Sequence, residues 1–359
     1  MLCLGIESTA HTFSCAVIEK KQKRGKILSD IRSIYKPPEG AGIHPREASR
    51  HHIENSSSIL SDVRKIYRPP DGEGIHPREA SRHHIENSSQ VISESLKDAK
   101  VKINDLDMIA YAGGPGLGPC LRVGAVVARA LSSYYNIPIY PVNHAIGHIE
   151  LGKLLTGAKN PLVLLVSGGH TMLLAFSSGK WRVFGETLDI TLGQLLDQFG
   201  RSLGFASPCG KQIEELAKKS NDYIDLPYTV KGNDVSFSGL LSAVKLASSK
   251  NIKSACFSLQ ETAFSMIAES TERALAFTKK KELMIVGGVA ANKRLSSMLK
   301  SVCKNQNAKF FVVPLNYAGD CGSQIAWTGL LESTVTKGSK IEDTFVRQSW
   351  RLDTVSVNY

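Results

Sequence analysis

The sequence predicts a two-lobed α/β fold, on three observations. The chain has 359 residues, enough for two packed lobes, and its 42% hydrophobic and 21% charged content is ordinary for a globular protein. It opens on an apolar meander of strand-like runs, and a similar meander begins again at Pro161. We therefore expect one lobe at 1–160 and a second at 161–359.

The first lobe is predicted to begin with three antiparallel strands. Two are the apolar runs of LCLGIESTAHTFSCAVIEK, and the third is ILSDIRSIY, which follows the basic turn KKQKRGK. A helical pattern covers 79–99. It is followed by strand MIAYA, loop GGPGLGP, helix LRVGAVVARALSSYY, strand IPIYPV and a helix that opens with NHAIGHIELGKLL.

The second lobe repeats this plan. PLVLLVSGGHTMLLAFSSGKWRVFGE reads as a hairpin meander, and helices alternate with strands after it. The later elements are the long helix KSACFSLQETAFSMIAESTERALAFTKKK, the strand-turn-helix LMIVGGVAANKRLSSMLK, strand KFFVVP and a helix after YAGDCGSQIAWTG. Two such lobes, able to close on a ligand, are typical of the actin-like ATPase fold of sugar kinases and heat-shock ATPases, which is ribonuclease-H-like.

A tandem duplication interrupts the first lobe. Residues 27–58 and 59–90 are identical at 26 of 32 positions, and each copy contains GIHPREASRHHIENSS. The neighbouring His51 and His52 would point about 100° apart on a helix, so they are poorly placed to share an ion. We expect the first-copy strand (29–35) and the second-copy helix (79–99) to occupy the normal positions, because each is contiguous with its normal neighbour. The middle would be displaced as an extra loop or helix.

Net charge and cysteine content limit the kinds of partner, covalent cross-link and cellular compartment that we expect. A net charge of +11 favours an anionic partner, with nucleic acid ahead of a membrane surface. The basic turn KKQKRGK could contact phosphates or serve only for solubility. Seven cysteines without CxxC spacing argue against a disulfide framework or a zinc ribbon. The start MLCLGIES has no basic leader, and no apolar window approaches the roughly 18 residues of a membrane span, so we expect a cytoplasmic protein.

A histidine pair is the clearest candidate for chemistry. His144 and His148 are four residues apart at a predicted helix start, so their imidazoles share a face and could bind one ion. Two satisfied helix histidines are the plainer alternative. The glutamate of an HExxH protease motif is missing. Asp320, in a glycine-flanked loop, is a candidate third ligand for iron(II) or zinc, although it could equally be a helix N-cap.

Glycine-rich turns supply candidate anion sites. VSGGH at 166–170 and VGGVAAN at 286–292 each follow an apolar strand, so their backbone amides could approach a phosphate. Each signal is weak alone. GGPGLGP at 113–119 contains prolines and is no dinucleotide-binding fingerprint.

Nine motifs in order carry a resemblance that covers nearly the whole chain. They are GIESTAHT, GGPGLGP, NHAIGHIE, VSGGHT, GETLDI, SFSGL, QETAF, GGVAAN and GDCGSQIAWTG. Together they closely resemble the universal tRNA threonylcarbamoyladenosine transferase family, in its archaeal and eukaryotic branch, the catalytic subunit of the KEOPS complex.

The resemblance implies an acyltransferase that modifies tRNA. Its members transfer a threonylcarbamoyl group from threonylcarbamoyl-AMP to the exocyclic amine of the adenosine next to the anticodon, in tRNAs that read codons starting with A. The implied metal ligands are His144, His148 and Asp320. The implied contacts to the adenylate are Leu165, Val166, Ser167, Gly168, Gly169, Asp197, Gly210, Glu214 and Asn292.

These residue types suit the implied chemistry. Asp197 and Glu214 could accept hydrogen bonds from ribose hydroxyls, and Asn292 could bind polar groups of the adenylate. One divalent metal, iron(II) first and zinc second, would polarise the threonylcarbamoyl group. No general base is assigned. Two positions depart from the family pattern: Leu165 replaces a tyrosine ligand, and Cys209 in SPCG replaces a glycine of the nucleotide loop.

Partners and alternatives follow from the same reading. We expect tRNA and KEOPS-type subunits: a small kinase-like ATPase supplied in trans, since no kinase-like domain follows residue 359, a small dimerising subunit and an accessory subunit. The alternatives are a metalloprotease, an ATPase or sugar kinase, and a nucleic-acid-binding subunit without chemistry.

Overall fold

The first sheet is formed by five strands from the first half of the chain. The computed structural model describes residues 1–20, 57–68 and 74–359. The strands of this sheet are β1 (Leu2–Glu7), β2 (Thr12–Lys20), β3 (Ser57–Ile66), β4 (Met108–Gly114) and β5 (Ile139–Asn143). Their order is β3-β2-β1-β4-β5, with β1 to β3 antiparallel and with β4 and β5 parallel to β1.

The second sheet repeats that arrangement. Its strands are β6 (Leu162–Val166), β7 (Thr171–Ser177) and β8 (Lys180–Glu186), and, after the ribbon of β9 (Val230–Lys231) and β10 (Asp234–Val235), β11 (Glu282–Val286) and β12 (Lys309–Val312). The order β8-β7-β6-β11-β12 and the strand directions match the first sheet. The predicted α/β plan is confirmed, while the lobe boundary after residue 160 stays a prediction.

Helices cover the sheets. They are α1 (Pro77–Ala99), α2 (Gly118–Tyr135), α3 (His144–Thr156), α4 (Leu192–Ser202), α5 (Gly210–Ala217), α6 (Ser238–Ser248), α7 (Ile252–Thr278), α8 (Lys293–Asn305), α9 (Leu315–Ala318) and α10 (Gly322–Glu332). In the described ranges, none of them combines the length and apolar character needed to cross a membrane.

Capping residues fix where α3 begins and ends. The side chain of Asn143 accepts hydrogen bonds from the amides of Ala145 at 3.0 Å and Ile146 at 3.2 Å. Gly157 ends the helix with φ of 74°, a conformation that glycine adopts without strain. Because the N-cap is at Asn143, the first helical residue is His144.

The helix α3 lies in a core shared by both sheets. Its Ile146 and Ile149 are buried in one cluster with Met108 of the first sheet and with Val163 and Met284 of the second. Burial of this apolar surface fixes α3 between the lobes.

The helix α10 comes from the second half of the chain and packs on the first sheet. A Cβ added at Gly5 in β1 would lie 2.3 Å from the backbone nitrogen of Ala326 in α10, and one at Gly322 would lie 2.5 Å from the nitrogen of Ala16. Glycine is therefore required at both positions for helix and sheet to approach this closely. The contact sets the position of Asp320, which lies two residues before the helix.

The predicted placement of the duplicated strand is wrong. The strand that pairs with β2 is β3, which lies in the second copy apart from its first two residues, with Thr12 opposite Ile66 and Lys20 opposite Ser57. The predicted first-copy strand at 29–35 and the doublet of His51 and His52 lie outside the described residues. The predicted second-copy helix is confirmed as α1. The second copy thus keeps its strand and helix together, and the extra residues enter the β2–β3 connection, where added length costs little entropy.

The second-copy histidines serve packing. His84 is fully buried, with its ring 5.5 Å from that of Phe13, and burial lowers its pKa to about 4. The ring of His83 lies 6.1 Å from that of Tyr67. This supports the interpretation of the repeat as scaffold.

Gly5→Ala is expected to destabilise the protein by roughly 1–3 kcal/mol, because the added methyl group meets backbone that cannot move aside. Thermal or urea unfolding would measure the loss. The matched control is Gly239→Ala in α6, where an added Cβ meets no atom within 4 Å and alanine has the higher helix propensity. Equal stability of the Gly5→Ala protein and the wild type would show that α10 does not depend on this close contact.

Candidate metal centre

Three predicted ligands come together at the start of α3. His148 Nε2 lies 3.3 Å from Asp320 Oδ1, and His144 Nε2 lies 3.5 Å from the same oxygen. The two imidazole centroids are 4.7 Å apart, with ring planes at 84°. One ligand atom from each residue lies within 4.8 Å of the others, and among the described residues this is the group of histidine, cysteine and carboxylate side chains that could hold a metal ion.

A buried carboxylate orients the first histidine. Glu7, at the end of β1, is fully buried, and its Oε2 lies 2.9 Å from His144 Nδ1. Gln324 Nε2 lies 3.3 Å from the same carboxylate oxygen, while the amide and hydroxyl of Thr9 donate to Oε1 at 2.7 and 2.5 Å. With Nδ1 held by Glu7, His144 Nε2 faces Asp320. A carboxylate behind a ligating histidine is the usual support of a metal site.

The sequence analysis did not assign Glu7 a role. The sequence feature that could have indicated this role is its position, as a charged residue at the end of the apolar run LCLGIE and inside the motif GIESTAHT. The other residue missed was Gln324, in the first turn of α10.

The charged groups of the cluster shift one another's pKa values. Burial disfavours the imidazolium form of His144, but the Glu7 carboxylate and then Asp320 outweigh it and raise the pKa of His144 to about 9. Burial lowers the pKa of His148 despite its hydrogen bond to Asp320. Burial acts to raise the pKa of Asp320, yet the bond to His148 and the charge of His144 hold it well below the ordinary value. Metal binding must therefore displace a proton.

A further histidine adjoins the cluster. Burial, reinforced by the charges of His144 and His148, lowers the pKa of His170 to about 3. His170 is therefore neutral at physiological pH. It belongs to the predicted VSGGH turn, although the sequence analysis gave it no role.

The donor set suits a divalent metal. Two imidazole nitrogens and one carboxylate oxygen leave coordination positions open. Leu165, at the position of the family tyrosine, is fully buried in β6 and supplies no ligand atom. The N-cap alternative for Asp320 is not realised, since Cys321 precedes α10 and the amide of Gly322 donates to Ser14 Oγ at 2.9 Å.

The predicted phosphate turn has an accessible backbone. An added Cβ at Gly168 or Gly169 would meet no atom within 4 Å, whereas the side chains of Leu165 and Val166 are fully buried. Ser167 Oγ accepts from the amides of Gly169 at 3.2 Å and His170 at 3.0 Å. The open face of this turn is thus glycine backbone.

Asp197 is tied to the unusual SPCG turn. Its Oδ1 accepts from the amide of Cys209 at 2.8 Å, and burial raises its pKa. Cys209 is fully buried, and a Cβ at Gly200 would lie 2.2 Å from Cys209 Cβ. Glycine at 200 therefore makes room for the cysteine. Gly210 begins α5 and has only the side chain of Leu196 near its Cβ position, at 3.8 Å.

Glu214 and Asn292 meet where α5 approaches α8. Glu214 Oε1 accepts from the amide of Lys293 at 3.4 Å and pairs with Lys218 Nζ at 3.0 Å. Asn292 is the N-cap of α8 and donates from Nδ2 to Gln260 Oε1 at 2.7 Å. Asp197 with the turn before Gly210, and Glu214 with the start of α8, thus form two groups of predicted adenylate residues, and residues 165–169 form the glycine turn described above.

His148→Ala and Glu7→Gln should both weaken metal binding. Loss of a ligand should abolish stoichiometric binding, and loss of the charge behind His144 should weaken it roughly 10- to 100-fold. Elemental analysis and competitive titration with a chelator would measure both effects. The matched control is His83→Ala, which removes a histidine outside the cluster and should leave the metal content unchanged. Equal retention of metal in all variants would exclude this centre.

The metal-free protein should lose stability as the pH rises from about 6.5 to about 9. The His144 pKa is raised in the folded state above the unfolded value of about 6.5, so its contribution is complete below pH 6.5 and is lost as the pH passes about 9. Urea unfolding in the presence of a chelator would measure this slope. Glu7→Gln removes the main cause of the shift and should flatten it, and an equal slope in that variant would refute this assignment.

The chain is similar to known proteins over nearly its whole length. Residues 58–327 match the family described as TsaD, tRNA N6-adenosine threonylcarbamoyltransferase. A protein of that name from Caldivirga maquilingensis is 44% identical, over 99% of this chain and 98% of the relative. Another from Sulfurisphaera tokodaii is 42% identical, over 100% and 98%. A probable bifunctional tRNA threonylcarbamoyladenosine biosynthesis protein of Methanothermobacter thermautotrophicus is 44% identical, and this chain spans 60% of its length.

Solved structures support the fold. HypF of T. kodakarensis superposes with a TM-score of 0.60 at 12% identity, over 94% of this chain and 48% of that one. The activator of 2-hydroxyisocaproyl-CoA dehydratase from Clostridium difficile gives a TM-score of 0.51 at 10% identity, over 95% and 100%. These structural similarities confirm the actin-like ATPase fold, and at such low sequence identity they show the fold alone. From the near full-length relatives, the chain belongs to the tRNA N6-adenosine threonylcarbamoyltransferase family.

Proposed function

We propose that this protein is a tRNA N6-adenosine threonylcarbamoyltransferase. It transfers the threonylcarbamoyl group of threonylcarbamoyl-AMP to the exocyclic amine of the adenosine next to the anticodon, in tRNAs that read codons starting with A. The observation that carries the proposal is the buried group of His144, His148 and Asp320, backed by Glu7, in a chain 44% identical to a relative of that name.

The three ligands would hold one divalent ion, iron(II) first and zinc as the alternative. Nitrogen and carboxylate donors with open positions suit iron(II), and zinc accepts the same set. When bound, the ion would supply Lewis acidity to the carbamoyl carbonyl. Glu7 keeps His144 oriented for this role, and the bonds to Glu7 from Thr9 and Gln324 stabilise its carboxylate in a buried position.

The adenylate would lie along the two groups around Asp197 and Glu214. The open backbone of Gly168 and Gly169 admits a phosphate, since no side chain covers it. Asp197 and Glu214 each retain lone pairs beyond the bonds described, which suits ribose hydroxyls. Asn292 caps α8 through its side-chain oxygen, and its Nδ2, which donates to Gln260, would have a second hydrogen for a polar group of the adenylate.

The transfer forms a bond between the amine nitrogen and the carbamoyl carbon, breaks the bond from that carbon to the phosphate oxygen, and releases AMP and one proton. His170 adjoins the centre, but a pKa of about 3 makes it a weak base. We therefore assign no general base. His144, His148 and Asp320 would hold the ion beside the donor, and binding of both substrates there would bring the acceptor amine near the carbonyl.

The proposed setting is a cytoplasmic KEOPS-type complex with a small kinase-like ATPase, a small dimerising subunit and an accessory subunit. The relative from Methanothermobacter thermautotrophicus is named as a probable bifunctional protein, and this chain spans 60% of its length. That name supports a partner with a second activity that acts together with this chain. The net charge of +11 supports binding of tRNA phosphates.

The protease alternative gains no support. The position after His144, where an HExxH enzyme has its glutamate, is Ala145, which is fully buried in the core.

Nucleoside analysis of tRNA tests the proposal. The protein is incubated with its partner subunits, substrate tRNA, threonine, bicarbonate, ATP and a threonylcarbamoyl-AMP synthase. The wild type should form threonylcarbamoyladenosine, and His148→Ala should lower the rate roughly 100-fold or more, because the carbonyl loses its electrophilic support. His83→Ala should match the wild type. Absence of the modified nucleoside with the wild type and all partners present would refute the function.

A further inference from the structure

A cavity of about 210 Å³ lies between His170 and the C-terminal segment. Its walls are formed by three parts of the chain: the loop after β4, the residues around the β6–β7 turn and the C-terminal segment. We call it the tail pocket, and its principal lining residues are Pro115, His170, Met172, Trp350, Arg351 and Leu352.

Main-chain contacts fix the C-terminal wall of the tail pocket. The amide of Arg347 donates to the carbonyl of Gly113 at 2.7 Å, and the amide of Gly116 donates to the carbonyl of Gln348 at 3.1 Å. Asn143, the N-cap of the metal-ligand helix, donates from Nδ2 to the carbonyl of Trp350 at 3.1 Å. Trp350 is therefore held one residue away from the start of the ligand pair.

His170 connects the tail pocket to the metal centre. It lines the pocket, and its side chain interacts electrostatically with His144, His148 and Asp320. A molecule in the tail pocket that reached past His170 would approach the site of transfer.

The lining favours a neutral, planar ring. Trp350 presents an indole, with the guanidinium of Arg347 4.8 Å from its centroid, and Met172, Leu352 and Pro115 add apolar surface. Aromatic side chains bind single unstacked bases in this way. The volume is below the roughly 300–1,000 Å³ of sites for larger ligands and suits one base.

At the rim, Arg351 offers an anion little free positive charge, and the Arg347 guanidinium lies over the Trp350 ring. Arg351 Nη2 lies 3.0 Å from Asp353 Oδ2 and 3.5 Å from Glu186 Oε1, so two carboxylates already balance its charge. The carboxylate of the threonylcarbamoyl group would meet that negative charge. An uncharged nucleobase would not.

We propose that the tail pocket receives the acceptor adenine base of the tRNA, unstacked from the anticodon loop and packed against Trp350, with its exocyclic amine at the His170 end. The inference rests on the proposed function and adds to it the site of the second substrate. Extrusion of a target base into a pocket is the general solution for enzymes that act on a base within a folded nucleic acid.

A fluorescent base tests the pocket without any reaction. The full-length, metal-loaded protein, with its partner subunits, is titrated into tRNA that carries 2-aminopurine at the acceptor position. This base has its amine on another carbon and cannot be modified at N6. Its fluorescence should be quenched by the wild type and by Trp350→Phe, whereas Trp350→Leu should lose most of the quenching. Fluorescence anisotropy of an end-labelled tRNA verifies that the variants still bind.

Two controls separate stacking from general binding. Tyr134→Leu removes an aromatic ring that is 82% exposed on α2, and it should quench like the wild type. A tRNA with 2-aminopurine in the anticodon stem should show no change. Equal quenching by wild type and Trp350→Leu would overturn the proposal.

Transfer kinetics provide an independent measurement. Trp350→Leu should lower kcat/KM for tRNA roughly 5- to 100-fold, the effect of losing one base–aromatic stack, and leave the KM for threonylcarbamoyl-AMP unchanged. Trp350→Phe should restore most of the loss. A variant that raises the donor KM instead would place the donor in the tail pocket and refute this inference. No transfer by the wild type would refute the proposed function itself, while the quenching experiment would still decide the pocket.

Discussion

The close approach of α10 to β1 is the constraint on which the metal centre depends. Gly5 and Gly322 allow helix and strand backbones to touch, since a Cβ at Gly5 would lie 2.3 Å from the nitrogen of Ala326. Asp320 stands two residues before the helix, and Gln324 lies in its first turn. A helix held away from the sheet by one methyl group would carry both the carboxylate ligand and a partner of Glu7 away from α3.

Glu7 joins the stability of the fold to the geometry of the site. A buried carboxylate without partners would cost several kcal/mol, so each of its oxygens needs donors. Thr9 supplies two bonds to Oε1, while His144 and Gln324 serve Oε2. The contacts that make the charge tolerable also determine which nitrogen of His144 faces Asp320. The same buried carboxylate therefore stabilises β1 in its place and prepares the histidine for an ion.

Local patterns predicted most of the fold, because strands and helices follow from periodicity and from the turns between them. The pairing of His144 with His148 could also be predicted from the sequence, since a spacing of four residues places two side chains on one helix face. Glu7 was missed because an acidic residue after an apolar run looks the same whether it meets solvent or a histidine. Its burial comes from α10, a helix more than 300 residues later, and no local pattern encodes that contact.

The duplication shows why contiguity alone misplaced a strand. Ser29, Asp30 and Arg32 of the first copy are identical to the aligned residues of β3. Side-chain chemistry therefore does not favour the strand of one copy over that of the other as the partner of β2. Either arrangement also leaves one long connection, whose entropy grows slowly with length. The connection from β3 to α1, however, makes contacts of its own: the amide of Tyr67 donates to the carbonyl of His11 at 2.8 Å, and Gly74 packs against Arg201. Keeping that connection short retains those contacts, whereas residues added between β2 and β3 leave them in place.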